Sequence, residues 1–115
     1  MLWHQLTDLS QLEHIQNISK EQPGNYRAVL IFKHSTRCGI SRMSLKQLEN
    51  EWTDSESIPC YFLDLLRYRN ISDKIALDYN VEHESPQVLL IKNGKCIFNQ
   101  SQNEISAQAI LNATR

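Results

Sequence analysis

Hydrophobic and polar positions alternate between two regimes along the chain. The run Ala28-Val29-Leu30-Ile31-Phe32 is continuously apolar, short and rich in strand-forming residues, which predicts a strand buried on both faces. Cys60-Tyr61-Phe62-Leu63 predicts a second strand, and Gln87-Val88-Leu89-Leu90-Ile91 a third. Pro86 precedes the third, where a missing N–H is tolerated. Between them the spacing turns helical. Leu12, Ile15, Gln16 and Ile18 form a stripe to about Glu21, with Ser10 and Glu13 as a capping box. Pro23-Gly24-Asn25 should end that helix. Met43, Leu45, Leu48 and Trp52 mark a second helix over Ser41 to Trp52, broken by Thr53-Asp54-Ser55. Ser72 is placed as the cap of a third, whose inward face is Ile75, Ala76 and Tyr79. Asn93-Gly94 is a two-residue hairpin signal joining Val88–Ile91 to Lys95–Phe98. Leu2 to Leu6 reads as a short edge strand. Ser106 to Thr114 reads as a closing helix with Ala107, Ile110 and Leu111 inward.

The predicted order is therefore (β)αβαβαββα. Strands joined by helices and followed by a hairpin and a last helix give an α/β fold, a three-layer α/β/α sandwich around a central mixed sheet. A cysteine after the first buried strand and a proline opening the hairpin give this order the layout of thioredoxin-like folds. The 115 residues fit one domain spanning 1–115.

Composition narrows the function classes. A formal net charge of −1 and the lack of a basic run argue against nucleic acid or a membrane surface. No apolar run approaches the roughly 18 residues of a membrane helix. The opening MLWHQLTDLS lacks the pattern of a secretory signal. Cys38, Cys60 and Cys96 are an odd count without zinc or disulfide-framework spacing. A reducing, cytoplasmic setting and a monomer are the expectation.

The chemistry gathers in FKHSTRCGIS, residues 32–41. A thiolate is the nucleophile, and its formation is favoured at a helix N-terminus and beside cations. Cys38 should have both: a helix beginning near Gly39–Ser41, and Lys33, His34, Arg37 and Arg42 close in sequence. With Ser41 rather than a second cysteine, a mixed disulfide at Cys38 must wait for an external thiol. That is a monothiol exchange cycle. Ser41 is expected to donate a hydrogen bond to the Cys38 sulfur or to cap the helix. Cys38 and Ser41 are the candidate catalytic pair. His34, Thr36, Arg37, Gly39, Ser85 and Pro86 are the candidate substrate-binding positions, with His83 and Glu84 expected near Cys38. Cys60 reads as core, as do Trp3 and Trp52. Cys96 reads as structural, with a slow resolving role left open. Lys46, Glu49 and Glu51 read as a solvated helix face.

Two stretches, IFKHSTRCGIS (31–41) and HESPQVLLIKNGK (83–95), resemble the monothiol bacilliredoxin family of YtxJ type, and the likeness covers essentially the whole chain. The resemblance implies a thioredoxin fold with Cys38 as the redox-active residue. It further implies removal of bacillithiol from S-bacillithiolated proteins. Pro86 would be a cis-proline facing Cys38, and the Ser85 backbone would align the incoming disulfide. Bacillithiol would be a co-substrate, with no tightly bound cofactor or metal and a low-molecular-weight thiol as recycling partner; a stress-response setting goes with it. The carboxylates of bacillithiol would suit Arg37 on charge grounds. The run Cys38-Gly39-Ile40-Ser41 is also similar to the Cys-Gly-Phe-Ser of monothiol glutaredoxins, which implies a [2Fe–2S] carrier instead. A non-catalytic thioredoxin-like binding module is the third reading.

Overall fold

The computed structural model describes residues 1–20, 26–54 and 57–114. Five strands form one mixed sheet: β1 (Trp3–Gln5), β2 (Val29–His34), β3 (Cys60–Asp64), β4 (Gln87–Lys92) and β5 (Lys95–Ser101), in the order β1-β3-β2-β4-β5. β1, β3 and β2 run parallel, while β4 is antiparallel to β2 and β5 to β4. Four helices flank the sheet: α1 (Ser10–Lys20), α2 (Gly39–Glu51), α3 (Arg69–Tyr79) and α4 (Ala107–Ala113).

Strand alternation explains the layers, because successive side chains point to opposite faces. Val29 and Ile31 join Leu12 and Ile15 of α1 and Ile71 and Ile75 of α3 in one cluster. Leu30 and Phe32 join Leu48 of α2 and Ile110 and Leu111 of α4 in the other. Residues 29–34 are buried throughout, as the unbroken apolar run requires of a strand covered on both sides. The expected three-layer architecture is therefore present. β2 runs two residues beyond Phe32, through Lys33 and His34, and β5 runs three beyond Phe98.

Several local expectations are corrected. The cap of α1 lies two residues earlier than Ser10 and Glu13: Asp8 Oδ1 accepts from Ser10 N at 2.9 Å, and Gln11 Oε1 accepts from Asp8 N at 2.9 Å. This is the reciprocal pairing of a capping box with Asp and Gln as its members. Ser72 is not a cap, since α3 starts three residues earlier and buries Ser72 completely. Met43 faces solvent at 74% exposure, and the inward face of α2 is Ser41, Ser44 and Leu48. Glu49 is exposed, yet it accepts a hydrogen bond from Trp3 Nε1 at 2.9 Å. The expected stop at Pro23-Gly24-Asn25 and the Ser55 part of the second break lie outside the described residues.

The Asn93-Gly94 turn forms as expected, with φ of 55° and 75°. It docks on α1: Asn93 N donates to Ser19 O at 2.8 Å and Gly94 N to Ser19 Oγ at 3.0 Å. Among the described residues, no helix is long and apolar enough to cross a membrane.

Candidate functional site

The site lies at the end of the sheet where β2 and β3 finish. β2 ends at His34, the loop Ser35–Arg37 turns, and Cys38 is the N-cap of α2, extended at φ −107° and ψ 117°. Cys38 N donates to Ser35 O, and Arg42 N donates to Cys38 O, both at 3.2 Å. Cys38 is half-buried, while Thr36, Arg37 and Gly39 are exposed beside it. Arg42 folds back over the loop, its Nη1 donating to Thr36 O at 3.1 Å. Gly39 has open space around its Cα; a Cβ there would meet only Arg42 Nη2, at 3.7 Å.

Ser41 is where expectation and structure part. Its side chain is fully buried, its Oγ accepts from Ser35 N at 3.0 Å, and it lies 2.7 Å from Nδ1 of His34. With one lone pair of Ser41 filled by the Ser35 amide, its proton is free to go to Nδ1. That arrangement suits a neutral imidazole carrying its own proton on Nε2. Burial pushes the His34 pKa below the usual 6.5, opposed by Asp64 and reinforced by Arg42. The ring packs against Phe62, with centroids 5.2 Å apart. Among the described residues no hydrogen bond joins Ser41 to Cys38. The serine secures the loop beneath the cysteine rather than the sulfur itself.

The second wall comes from the β3–α3 and α3–β4 connections. Leu65 N donates to His34 O at 3.0 Å, tying the 64–68 loop to the end of β2. The β2–β4 register pairs Lys33 with Gln87, so Pro86 falls opposite His34. The Ser85–Pro86 peptide bond is cis, as the resemblance implies. Pro86 O accepts from Gln102 N at 2.9 Å, and the Ser85 hydroxyl is buried without a partner. Cys38, Arg37, Ser85 and Pro86 therefore share one end of the sheet. His83 and Glu84 are held by partners other than Cys38. His83 Nδ1 lies 3.3 Å from Ser72 Oγ on α3, and Glu84 accepts from Gln102 Nε2 at 3.4 Å. Lys33, expected among the cations near Cys38, projects through the opposite face, where its Nζ donates to Ser72 O at 3.1 Å. Sequence gives no signal for Ser35 or Gln102 and signals Ser72 only as a helix cap, because each acts through a partner distant along the chain or through its backbone.

The other two cysteines lie far from Cys38. Cys60 opens β3, four residues before Asp64, the partner of His34. Cys96 pairs with Ile91, four residues along β4 from Gln87. At about 3.3 Å per residue, each is about 13 Å from the Cys38 end of the sheet. Cys60 Sγ donates to Ile58 O at 3.3 Å, and burial pushes its thiol up to about 12. Cys96 Sγ donates to Phe98 O at 3.3 Å, and burial raises its thiol too. Neither sits where a resolving thiol must.

A sequence model of the family described as monothiol bacilliredoxin BrxC matches residues 4–110. The chain belongs to this family. The match favours the bacilliredoxin likeness over the glutaredoxin one. Among solved structures, a thioredoxin-fold protein assigned as an oxidoreductase is similar at 29% identity and a TM-score of 0.79, covering 98% of this chain and 94% of that one. Thioredoxin of Fasciola hepatica is similar at 15% identity and TM-score 0.70, over 96% and 94% of the two chains. Mitochondrial thioredoxin 3 of Saccharomyces cerevisiae follows at 20% and 0.64, over 96% and 91%. The last two speak for the fold alone. This bacilliredoxin-family chain is a thiol redox enzyme of thioredoxin fold.

Proposed function

We propose that the protein removes bacillithiol from S-bacillithiolated proteins by monothiol exchange at Cys38. The observation that carries this reading is the isolation of Cys38: it caps α2 at the surface, while position 41 holds a buried serine and the other two thiols lie at the far end of the sheet. The Cys38 thiolate attacks the bacillithiol sulfur of the mixed disulfide. The Cys38–bacillithiol bond forms, the substrate disulfide breaks, and the substrate cysteine leaves as a thiolate that takes up a proton. A second low-molecular-weight thiolate then attacks the bacillithiol sulfur and releases Cys38. The substrate cysteine is reduced, bacillithiol and the second thiol are joined as a disulfide, and Cys38 returns unchanged.

The surrounding residues take roles consistent with their places. Cys38 stands at the N-cap of α2, with the first turn of that helix directly behind it. Arg37 is free to meet a bacillithiol carboxylate. Thr36 and Gly39 leave the approach open, and the Ser85 and Pro86 backbone lines its other side. His34 and Ser41 hold the loop from below. A reducing, cytoplasmic compartment is where such a cycle would run.

Intact-mass spectrometry tests the proposal. The protein is mixed with a bacillithiolated and, separately, a glutathionylated substrate protein. Bacillithiol should appear on the chain, Cys38→Ala should abolish it, and Cys60→Ala and Cys96→Ala should leave it. Transfer of glutathione alone would reassign the co-substrate. Transfer of neither would refute exchange at Cys38.

A further inference from the structure

Lys33 is fully buried in a strand whose other residues on that face, Val29 and Ile31, are apolar core. A lysine is almost never fully buried without a partner. Among the described residues its one hydrogen bond goes to the carbonyl of Ser72, 39 residues away, although an ammonium has three protons to donate. Ser72 is itself fully buried, and its hydroxyl continues the chain of contacts to His83 Nδ1 at 3.3 Å. Directly across the antiparallel pair from Lys33 stands Gln87, 1% exposed. Its Nε2 donates to Glu82 O at 2.9 Å and closes the 82–87 segment on itself, while its Oε1 is buried without a partner. Two buried polar groups thus stand opposite one another across β2 and β4: Gln87 bonds directly to Glu82 in the connection that delivers Ser85 and Pro86, and Lys33 reaches His83 of that connection through Ser72 of α3.

We propose that Lys33 is a positioning residue for exchange: through Ser72 and His83 on one side and against Gln87 on the other, it fixes the 82–86 segment opposite Cys38. Lys33 does not touch the reacting sulfur, which lies on the other face of the sheet. It acts on the wall against which the incoming disulfide aligns. An apolar side chain of equal length would pack with Val29 and Ile31 at lower desolvation cost, so the polar choice costs stability and returns geometry. Burial also pushes the Lys33 amine down to about 8, partly offset by Asp73, which agrees with its seclusion from water.

The test uses Lys33→Met and, as a second variant that keeps the fold's carbonyl acceptor, Ser72→Ala. The amide of Gln102, which donates to Pro86 O, should exchange at least tenfold faster in Lys33→Met, and by a smaller factor in Ser72→Ala, while the thermal midpoint of Lys33→Met does not fall. This arm is independent of any exchange activity. The kinetic arm rests on the reading proposed above: the maximal rate of bacillithiol transfer from a substrate protein should drop about tenfold with little change in KM. Iodoacetamide labelling of Cys38, which needs no aligned disulfide, reports the state of the nucleophile. Unchanged amide exchange at Gln102 in both variants overturns the proposal. So does a loss of transfer matched by an equal loss of iodoacetamide labelling, since that would mean general damage around Cys38. If the unaltered protein transfers nothing, the function proposed above fails, and the amide-exchange arm still decides the role of Lys33.

Discussion

Ser41 Oγ lies 2.7 Å from His34 Nδ1 and accepts from the Ser35 amide at 3.0 Å. One buried hydroxyl thereby ties the end of β2, the loop before the cysteine and the first turn of α2 together. In a dithiol relative of this fold the same position would hold the second sulfur. Here it holds a structural knot.

Ser41→Ala should therefore be destabilising and yet competent in forming the first mixed disulfide. It leaves the Ser35 amide and His34 Nδ1 buried without partners, a loss of about 1–3 kcal/mol. Urea denaturation measures the first effect, and the mass shift at Cys38 the second. A variant as stable as the parent would show that the knot contributes nothing.

Acid should weaken the same knot. His34 and His83 are both held below the usual 6.5, chiefly by burial. The unfolded chain thus binds protons that the folded one resists, and stability present above pH 6.5 is lost as pH falls through the lowered folded values. The denaturation midpoint should decline below pH 6.5, and His34→Gln should flatten that decline.

On the alkaline side two groups act in opposite directions. Lys33 loses its proton near 8 in the folded chain and near 10.5 when unfolded, so its charge destabilises the fold below 8 and stability rises as pH climbs from 8. Cys60 is pushed up to about 12 from 9.0, so the unfolded thiol ionises first and stability falls above 9. A midpoint that rises between pH 8 and 9, levels off while the two effects oppose one another, and declines above 10.5 is expected. Lys33→Met should remove the rise and Cys60→Ala should soften the decline. A Lys33→Met profile that kept the rise would contradict this account.

Gly94→Ala should be costly. Gly94 sits at φ 75°, and an added Cβ would come within 2.5 Å of Lys20 Cε and 2.9 Å of Gln16 Oε1 on α1. Lys20 can swing away, but the left-handed backbone remains unfavourable for alanine by about 1 kcal/mol. A second contribution comes from Gln16, whose Nε2 donates to Gly94 O at 3.2 Å. Thermal denaturation should show the loss, and Gly94→Asn should recover only its backbone part, since asparagine tolerates this region but carries the same Cβ.

What the sequence alone determined is what depends on neighbours in the chain. The run 28–32 reads as a strand covered on both faces, because it is short, rich in strand-forming residues and uninterrupted by a polar position. Asn93-Gly94 selected a hairpin because both residues accept positive φ. The place of Cys38 at a helix N-terminus, which makes it the candidate nucleophile, was legible because a strand end is followed at once by a helix start. What only the tertiary structure decided depends on partners far away. Lys33 is one residue beyond Phe32, and the two-residue period of a strand sends it to the opposite face from the cysteine. There the acceptor is a carbonyl 39 positions later. Met43 fits the helical stripe of α2, yet the sheet meets that helix along Ser41, Ser44 and Leu48, so the methionine is left in solvent. Ser41 looked available to the Cys38 sulfur from spacing alone. The fold brings the His34 imidazole beneath it, and a buried hydroxyl bonds to the acceptor within reach.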